Sequence, residues 1–342
     1  MWSYLLLFTI TLISSLLLTP LVRQQATRWG VFDHPDDERR VHQLPLPRLG
    51  GAAIYLAVLL ACLLCAGLDH AWDSPWKLLL PATLIFLLGV ADDVVGVSER
   101  WKLIIPAGGA ALLYAFGYRI TSLSLSSSIA FDVPDWLGFL LTVIWVVGLT
   151  NAFNLIDGVD GLAVGISAIA ISAVLIYSLL LGKRESGLLA ATLLGALLGF
   201  LPYNFQPASL FLGDSGSLLI GFLTAVLLLI GTSEQTGTLT VAGPVIAGLP
   251  LVEAAVTLLR RWLAGQSLLP GDRGHFHHKL LDRGLSQRGV ALRLYVVGVI
   301  FAGSGMLLLK AGTAQTILIL ALLGVGIVWG VRSLQYTEFR RG

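Results

Sequence analysis

Apolar runs of sixteen to twenty-two residues recur along the whole chain, each closed by a short polar stretch. A run of about 20 is enough to cross a bilayer as a helix. Eleven such spans are predicted: 3–22, 49–68, 77–92, 102–118, 136–152, 161–182, 187–203, 216–232, 239–259, 291–310 and 313–331. Stretches such as "LLTVIWVVGL" do not alternate, so a membrane β-barrel is excluded. The expected fold is an all-α polytopic integral membrane protein, one domain over 1–342, since no polar linker interrupts the pattern. The ninth span carries Gly243, Pro244, Gly248, Pro250 and Glu253, so it is expected to bend or break. "YRITSLSLSSSIAFDVP" alternates polar and apolar residues, which predicts a small external β-hairpin. The first run has no basic residue before it and no small-residue cleavage site, so it reads as a retained helix.

Composition agrees with the pattern. Of 342 residues 56% are hydrophobic and only 12% charged, with mean hydropathy +0.84; soluble domains carry roughly 25% charged residues. Cys62 and Cys65 form a C-x-x-C spacing inside the second run. A thiolate needs water or a cationic neighbour, so packing is the better reading of that pair.

Charge then gives the spans a direction. With the eleven spans alternating, seventeen of the 22 Lys and Arg fall in one set of loops, and by the positive-inside rule that set is cytoplasmic. This puts the N-terminus outside and the C-terminus in the cytoplasm. Fourteen of the 20 acids lie on the same side. Orientation alone needs only the cations, so the shared crowding of both signs points to an active face.

Each loop of that face carries a distinct polar cluster. The first reads "VFDHPDDERRVHQLPLPRLGG", with Asp33, Arg40, His42 and Arg48; an ordinary positive-inside loop is the alternative reading. "GVADDVVG" sets Asp92 and Asp93 at the membrane edge, before Lys102. Adjacent carboxylates near lipid call for a proton, a cation or a basic partner, unless they simply mark a solvated helix end. In "NAFNLIDGVDGLA", Asp157 and Asp160 lie three apart, on one side of a helical turn with Asn154 one turn earlier. Their oxygens suit a hard cation such as Mg2+. N-capping of the sixth span would explain Asp160 alone.

"FLGDSGSLLIGF" places Asp214, Ser215 and Ser217 at the start of the eighth span. A helix start there would offer backbone N–H groups to phosphate, with the acid on a metal; plain N-capping by Asp214 is the other reading. "GDRGHFHHKLLDRG" gathers Arg273, His275, His277, His278 and Lys279. Three close histidines suit zinc, but beside so many cations phosphate binding fits better. Together, acids for a divalent cation and bases for phosphates at one membrane rim point to phosphoryl transfer between a cytosolic nucleotide and a lipid acceptor.

"ADDVVG", "NAFNLIDGVDGLA", "FLGDSGS" and "HFHH" resemble, in order and spacing, the polyprenyl-phosphate N-acetylaminosugar-1-phosphate transferases (glycosyltransferase family 4). The first loop and "DRGHFHHKL" are most similar to the undecaprenyl-phosphate N-acetylglucosamine-1-phosphate branch. They are unlike the phospho-muramoyl-pentapeptide translocases, whose histidine triplet precedes a Leu-Glu pair. The resemblance implies ten or eleven helices around a cytoplasmic cleft, in the bacterial inner membrane. It also implies transfer of a sugar-1-phosphate from a UDP-N-acetylaminosugar to undecaprenyl phosphate, releasing UMP. Mg2+ is the implied cofactor, with Mn2+ as a substitute, and a homodimer the implied assembly; no nucleic-acid partner is implied.

Residue by residue, Asp214 matches the family's metal-binding aspartate, with Asp92 and Asp93 as further metal candidates. Asp92, Asp93, Asp157, Lys102 and His277 fall in the catalytic set, with Asp92 positioning or deprotonating the lipid phosphate and Lys102 contacting phosphate. Asp33, Arg48, Asn154, Asp160, Arg273, His275 and His278 fall in the substrate-binding set. The broken ninth span matches the helix whose bend opens a prenyl groove. Two rivals fit less well. A transporter would bind near mid-bilayer between repeated halves, and no motif is duplicated here. A CDP-alcohol phosphotransferase needs an arginine that "DGVDGLAVG" lacks.

Overall fold

The computed structural model describes residues 2–33, 45–68, 75–232, 237–267 and 274–336, with only the backbone described for 65–68. Arg273, Arg40 and His42 lie outside these residues, as does the Cys65 side chain; Cys62 is buried. The described chain runs α1 (Trp2–Trp29), β1 (Phe32–Asp33), β2 (Leu46–Pro47), α2 (Gly51–Leu68), α3 (Trp76–Val95), α4 (Trp101–Ala115), β3 (Ser122–Ser126), β4 (Ile129–Asp132) and α5 (Asp135–Ile156). It continues with α6 (Leu162–Leu181), α7 (Arg184–Asn204), α8 (Gly213–Gly231), β5 (Thr238–Thr240), α9 (Ala242–Ile246), α10 (Gly248–Leu263), α11 (Phe276–Leu281), α12 (Gln287–Leu308) and α13 (Thr313–Ser333).

Eight of these helices are long and apolar enough to cross a membrane, namely α1, α3, α5, α6, α7, α8, α12 and α13. α2 and α4 supply shorter apolar stretches. The predicted ninth span is divided: it begins as β5, forms the one-turn α9, breaks at Ala247 and resumes as α10. The protein is a multi-pass helical membrane protein.

α8 is the axis of the bundle, with most of its side chains buried, and it packs against α3, α5, α6 and α2. In lipid there is no hydrophobic force between helices, so close approach and interhelical hydrogen bonds hold them together. Both are visible around α8. A side chain at Gly51 of α2 or Gly89 of α3 would overlap the backbone at Asp214–Gly216. Ser167 of α6 bonds Thr224 of α8 at 3.0 Å, and Trp145 Nε1 of α5 donates to the Ala225 carbonyl at 2.9 Å. Each such bond contributes on the order of 0.6 kcal/mol. α13, by contrast, is apolar and mostly exposed, with Thr316 its one buried residue, as a lipid-facing helix would be.

The alternating segment after α4 does form antiparallel β3 and β4, but β5 joins β3 in parallel, so the unit is a three-stranded sheet. Helix direction puts this sheet at the opposite end of the bundle from the α3–α4, α5–α6 and α7–α8 connections. At the latter end β1 and β2 form a short antiparallel ribbon. Phe211 N donates to the Pro47 carbonyl at 3.0 Å, and Gly51 N to that of Leu212 at 2.9 Å. The first loop is thereby stitched to the start of α8.

Candidate active site

The ends of α3, α4, α5, α7 and α8 converge beside that ribbon and bring most of the motif residues together. Lys102, in the first turn of α4 and only 7% exposed, sits between two carboxylates. Its Nζ lies 2.6 Å from Asp214 Oδ2 and 3.2 Å from Asp92 Oδ2, with Glu99 further off at 3.7 Å. Asp92 Oδ1 also accepts the Val97 N–H at 2.9 Å, which fixes the end of α3.

Asp93 is engaged differently. Its two oxygens accept the N–H groups of Asp214 and Ser215, at 2.9 and 3.0 Å. The start of α8 is therefore not open to phosphate, contrary to the expectation from sequence. Asp214 does not cap its own helix either. The first N–H groups of a helix lack intrahelical partners, and here a buried carboxylate from α3 supplies them. Arg48 forms an ion pair with Asp33 and reaches within 4.0 Å of Asp93 Oδ1.

Asp157 and Asp160 do not share a helical turn, because α5 ends at Ile156 and Asp157 is its C-cap. The chain then turns through Gly158 and Val159 to Gly161, whose φ of +77° makes it the N-cap of α6 in place of Asp160. Asp160 Oδ2 instead accepts the Ala208 N–H at 3.0 Å, tying this turn to the α7–α8 connection. Asn154 points to α8, with Nδ2 donating to Ser217 Oγ at 2.9 Å.

The histidine motif lies across the turn. His275 is the N-cap residue of α11, and His277 and His278 fall within it. The rings of His275 and His277 stack at 5.5 Å, and His278 lies 4.3 Å from His277, centroid to centroid. His277 is buried, with its ring against Gly158, where any side chain would overlap it.

A polar pocket of about 220 Å3 is lined by Asp33, Arg48, Asp157, Asp160, Asp214 and His278, together with Asn204, Phe211 and Gln287 among others. Of the expected residues, His275, His277, Asn154, Asp92, Asp93 and Lys102 stand behind this lining. Asn204, Phe211 and Gln287 were missed; Asn204 had a usable signal, a lone amide closing an apolar span on the charged side. Burial, and then the charges of Asp214 and Asp93, push Asp157 well above the usual carboxylate range. Burial, followed by His278 and His275, pulls His277 well below the usual imidazole value and keeps it neutral.

Among the described residues no three His, Cys, Asp or Glu side chains are grouped to hold a metal ion. The expected set of Asp214 with Asp92 and Asp93 is divided: the Lys102 ammonium stands between Asp92 and Asp214, and Asp93 is spent on backbone N–H groups. The pocket still fits a hard divalent cation, because four carboxylates line it against one guanidinium.

The chain is also similar to known proteins. Residues 75–232, which span α3 to α8, match the family model described as Glycosyl transferase family 4. The chain is 35% identical over 305 residues to the "Probable undecaprenyl-phosphate N-acetylglucosaminyl 1-phosphate transferase" of Bacillus subtilis (strain 168), covering 89% of this chain and 84% of that protein. It is 33% identical over 365 residues to the "Decaprenyl-phosphate N-acetylglucosaminephosphotransferase" of Mycolicibacterium smegmatis, covering 95% and 86%. To the "Undecaprenyl-phosphate alpha-N-acetylglucosaminyl 1-phosphate transferase" of Escherichia coli (strain K12) it is 28% identical over 311 residues, covering 86% and 82%. On the strength of the family match and of relatives at 33% and 35% identity over most of its length, the chain belongs to glycosyl transferase family 4.

Proposed function

We propose that the protein transfers N-acetylglucosamine-1-phosphate from UDP-N-acetylglucosamine to undecaprenyl phosphate, releasing UMP. The observation that carries this reading is the pocket where Asp214, Asp157, Asp160, Arg48 and His278 meet at the ends of membrane helices. A phosphate oxygen of the lipid attacks the β-phosphorus of the nucleotide sugar. The new P–O bond forms as the bond from that phosphorus to the bridging oxygen breaks, and UMP leaves with the electron pair. The nucleophile is already an anion, so orientation and charge compensation matter more than a strong base.

Asp214 and Asp157 line the same pocket and would hold Mg2+, or Mn2+ in its place. The bound ion would supply charge neutralisation for the two approaching phosphates. Lys102 holds Asp92 and Asp214 at a fixed separation and contributes positive charge behind them. Arg48 and His278 line the same pocket and would bind phosphate oxygens, while His277 buttresses Gly158. Asp160 and Asn204 line the same pocket and would contact the uridine. With most of the basic residues on this side, the site would face the cytoplasm at a bacterial inner membrane, with the N-terminus outside.

The test is UMP release by the detergent-purified protein with undecaprenyl phosphate and Mg2+. UDP-N-acetylglucosamine, UDP-N-acetylgalactosamine and a 6-deoxy N-acetylamino UDP-sugar are offered separately, with EDTA as control. Lipid- and metal-dependent release from the first donor is the expected result. Preference for another donor overturns the sugar assignment, and silence with all three from folded protein overturns the reaction.

A further inference from the structure

α10 carries its polar residues on its buried side, which reverses the usual rule for a helix at the edge of a bundle. Glu253, Thr257, Arg260 and Arg261 recur at helical spacing and are all buried, whereas Leu258, Leu259, Trp262 and Leu263 are exposed. A buried ionisable group in an apolar span is costly and persists only where a partner repays it. For Glu253, which is 2% exposed, the partners are the start of the histidine motif and Thr257 one turn further along α10. Its Oε1 lies 3.0 Å from His275 Nδ1, its Oε2 accepts the Phe276 N–H at 3.0 Å, and Thr257 Oγ1 donates to Oε1 at 3.3 Å. α11 has no cap from its own N-cap side chain, so Glu253 supplies one from a separate helix. Arg260 extends the same support, its guanidinium lying where a side chain at Gly274 would be.

We infer that Glu253 is a positioning residue: by holding His275 in one tautomer and fixing the first peptide of α11, it sets where His278 meets the pocket. The inference deepens the transferase reading above and rests on it for its kinetic part. A carboxylate oxygen only accepts, so the His275 proton is on Nδ1 and the bond fixes the plane of the ring. From there the geometry is relayed by contact. His275 stacks on His277, His277 packs on Gly158 and against His278, and His278 lines the pocket together with Asp157 and Asp160. The same carboxylate ties α10 to the site, so a displacement of that helix would be felt by the histidines.

Two readouts test this on the full chain in detergent. The first is 15N NMR of histidine-labelled protein, which has only six histidines to assign. Wild-type His275 is expected to show a protonated Nδ1. In Glu253→Gln the carboxamide keeps an oxygen for the Phe276 N–H and turns its NH2 to His275, so the proton moves to Nε2. The second is kinetic. Glu253→Gln is expected to lower kcat/KM for UDP-N-acetylglucosamine about 10- to 100-fold, the usual cost of losing a group that orients a functional histidine. His275→Asn, which keeps a donor at the Nδ1 position, is expected to lose less than His275→Gln, which does not.

An unchanged His275 tautomer with activity within twofold in Glu253→Gln overturns the inference. So does a His275→Gln variant at least as active as His275→Asn. If Glu253→Gln does not fold, the wild-type tautomer and the His275 pair still decide it. Because the tautomer is read without turnover, wild-type protein that releases no UMP counts against the reaction and not against this tie.

Discussion

Two corners of the site solve one problem with different materials. Where α8 and α11 begin inside an apolar body, their first N–H groups need acceptors, and each receives a buried carboxylate from another helix. At the acid corner Asp93 of α3 reaches α8 across 121 residues of sequence. At the histidine corner Glu253 of α10 reaches α11 across 23. What surrounds the two carboxylates differs. Asp93 stands beside Asp214, Asp92, Lys102 and Arg48, so the first corner is an assembly of charges held close together. Glu253 stands beside three clustered imidazoles, two of them stacked, and a phenylalanine peptide, so the second is an assembly of shapes. The acid corner should govern how much charge the transition state meets, and the histidine corner how accurately the substrate is held.

That contrast is open to attack at its strongest point first. Asp214→Asn removes the pocket carboxylate that pairs with Lys102 while keeping its size. UMP release should fall by about a thousandfold or more, the scale at which electrostatic stabilisation is lost, with the unfolding midpoint little changed. Activity near the wild-type value would end the metal assignment. Lys102→Met comes next. Without the ammonium, Asp92 and Asp214 face each other with nothing between them, and kcat should fall about a hundredfold. Lys102→Arg should not restore it, since a planar fork does not fit a point-charge site between two acids. Recovery with arginine would mean that position 102 supplies only net charge.

Gly158→Ala crosses from one corner to the other. The added methyl would overlap the His277 ring, which has no room to retreat because His275 and His278 pack behind it. A displacement near 1 Å is expected, with kcat/KM down about tenfold to a hundredfold, carried mainly by KM. A fall confined to kcat would place the histidine corner in the charge-handling machinery and erase the distinction.

The same distinction explains what could be read from the sequence. Eight long apolar helices, the break at Ala247 and the gathering of Asp33, Arg48, Asp157, Asp160, Asp214 and His278 in one pocket follow from hydropathy and short motifs. Those signals are local, and residues of like chemistry at one membrane rim must meet somewhere on it. What was misread depended on partners distant in sequence. Asp93 and Asp214 are each plausible metal ligands taken alone; only the fold shows that Asp93 is spent on the N–H groups beside Asp214. Glu253 was visible as the one acid inside the ninth span, but its partner lies beyond a loop, so it read as a mark of a bend. The shared helical turn of Asp157 and Asp160 failed for a local reason. Two Asp-Gly steps favour a turn over a continuing helix, and Gly161 takes the left-handed conformation that starts α6.

The smallest expected effect separates the corners by the sign of their response to acid. His277 is held well below its usual value of 6.5, so between that value and its folded one the unfolded chain binds more protons than the native protein. Its contribution to stability is complete above pH 6.5 and is lost as the pH falls, by at most about 1.4 kcal/mol per unit. Asp157 is held well above its usual 3.8, so there the native protein binds the extra proton, and stability is lost as the pH rises through the folded value. The two trends oppose each other where their ranges overlap, so below pH 6.5 the wild-type profile should be shallower than that of either single variant. Unfolding midpoints in detergent should lose their decline on acidification in His277→Asn and show a steeper one in Asp157→Asn. Parallel profiles in the two variants would mean that the pair does not titrate in opposite senses, and that the neutral ring and, in metal-free protein, the protonated acid are not what separates one corner from the other.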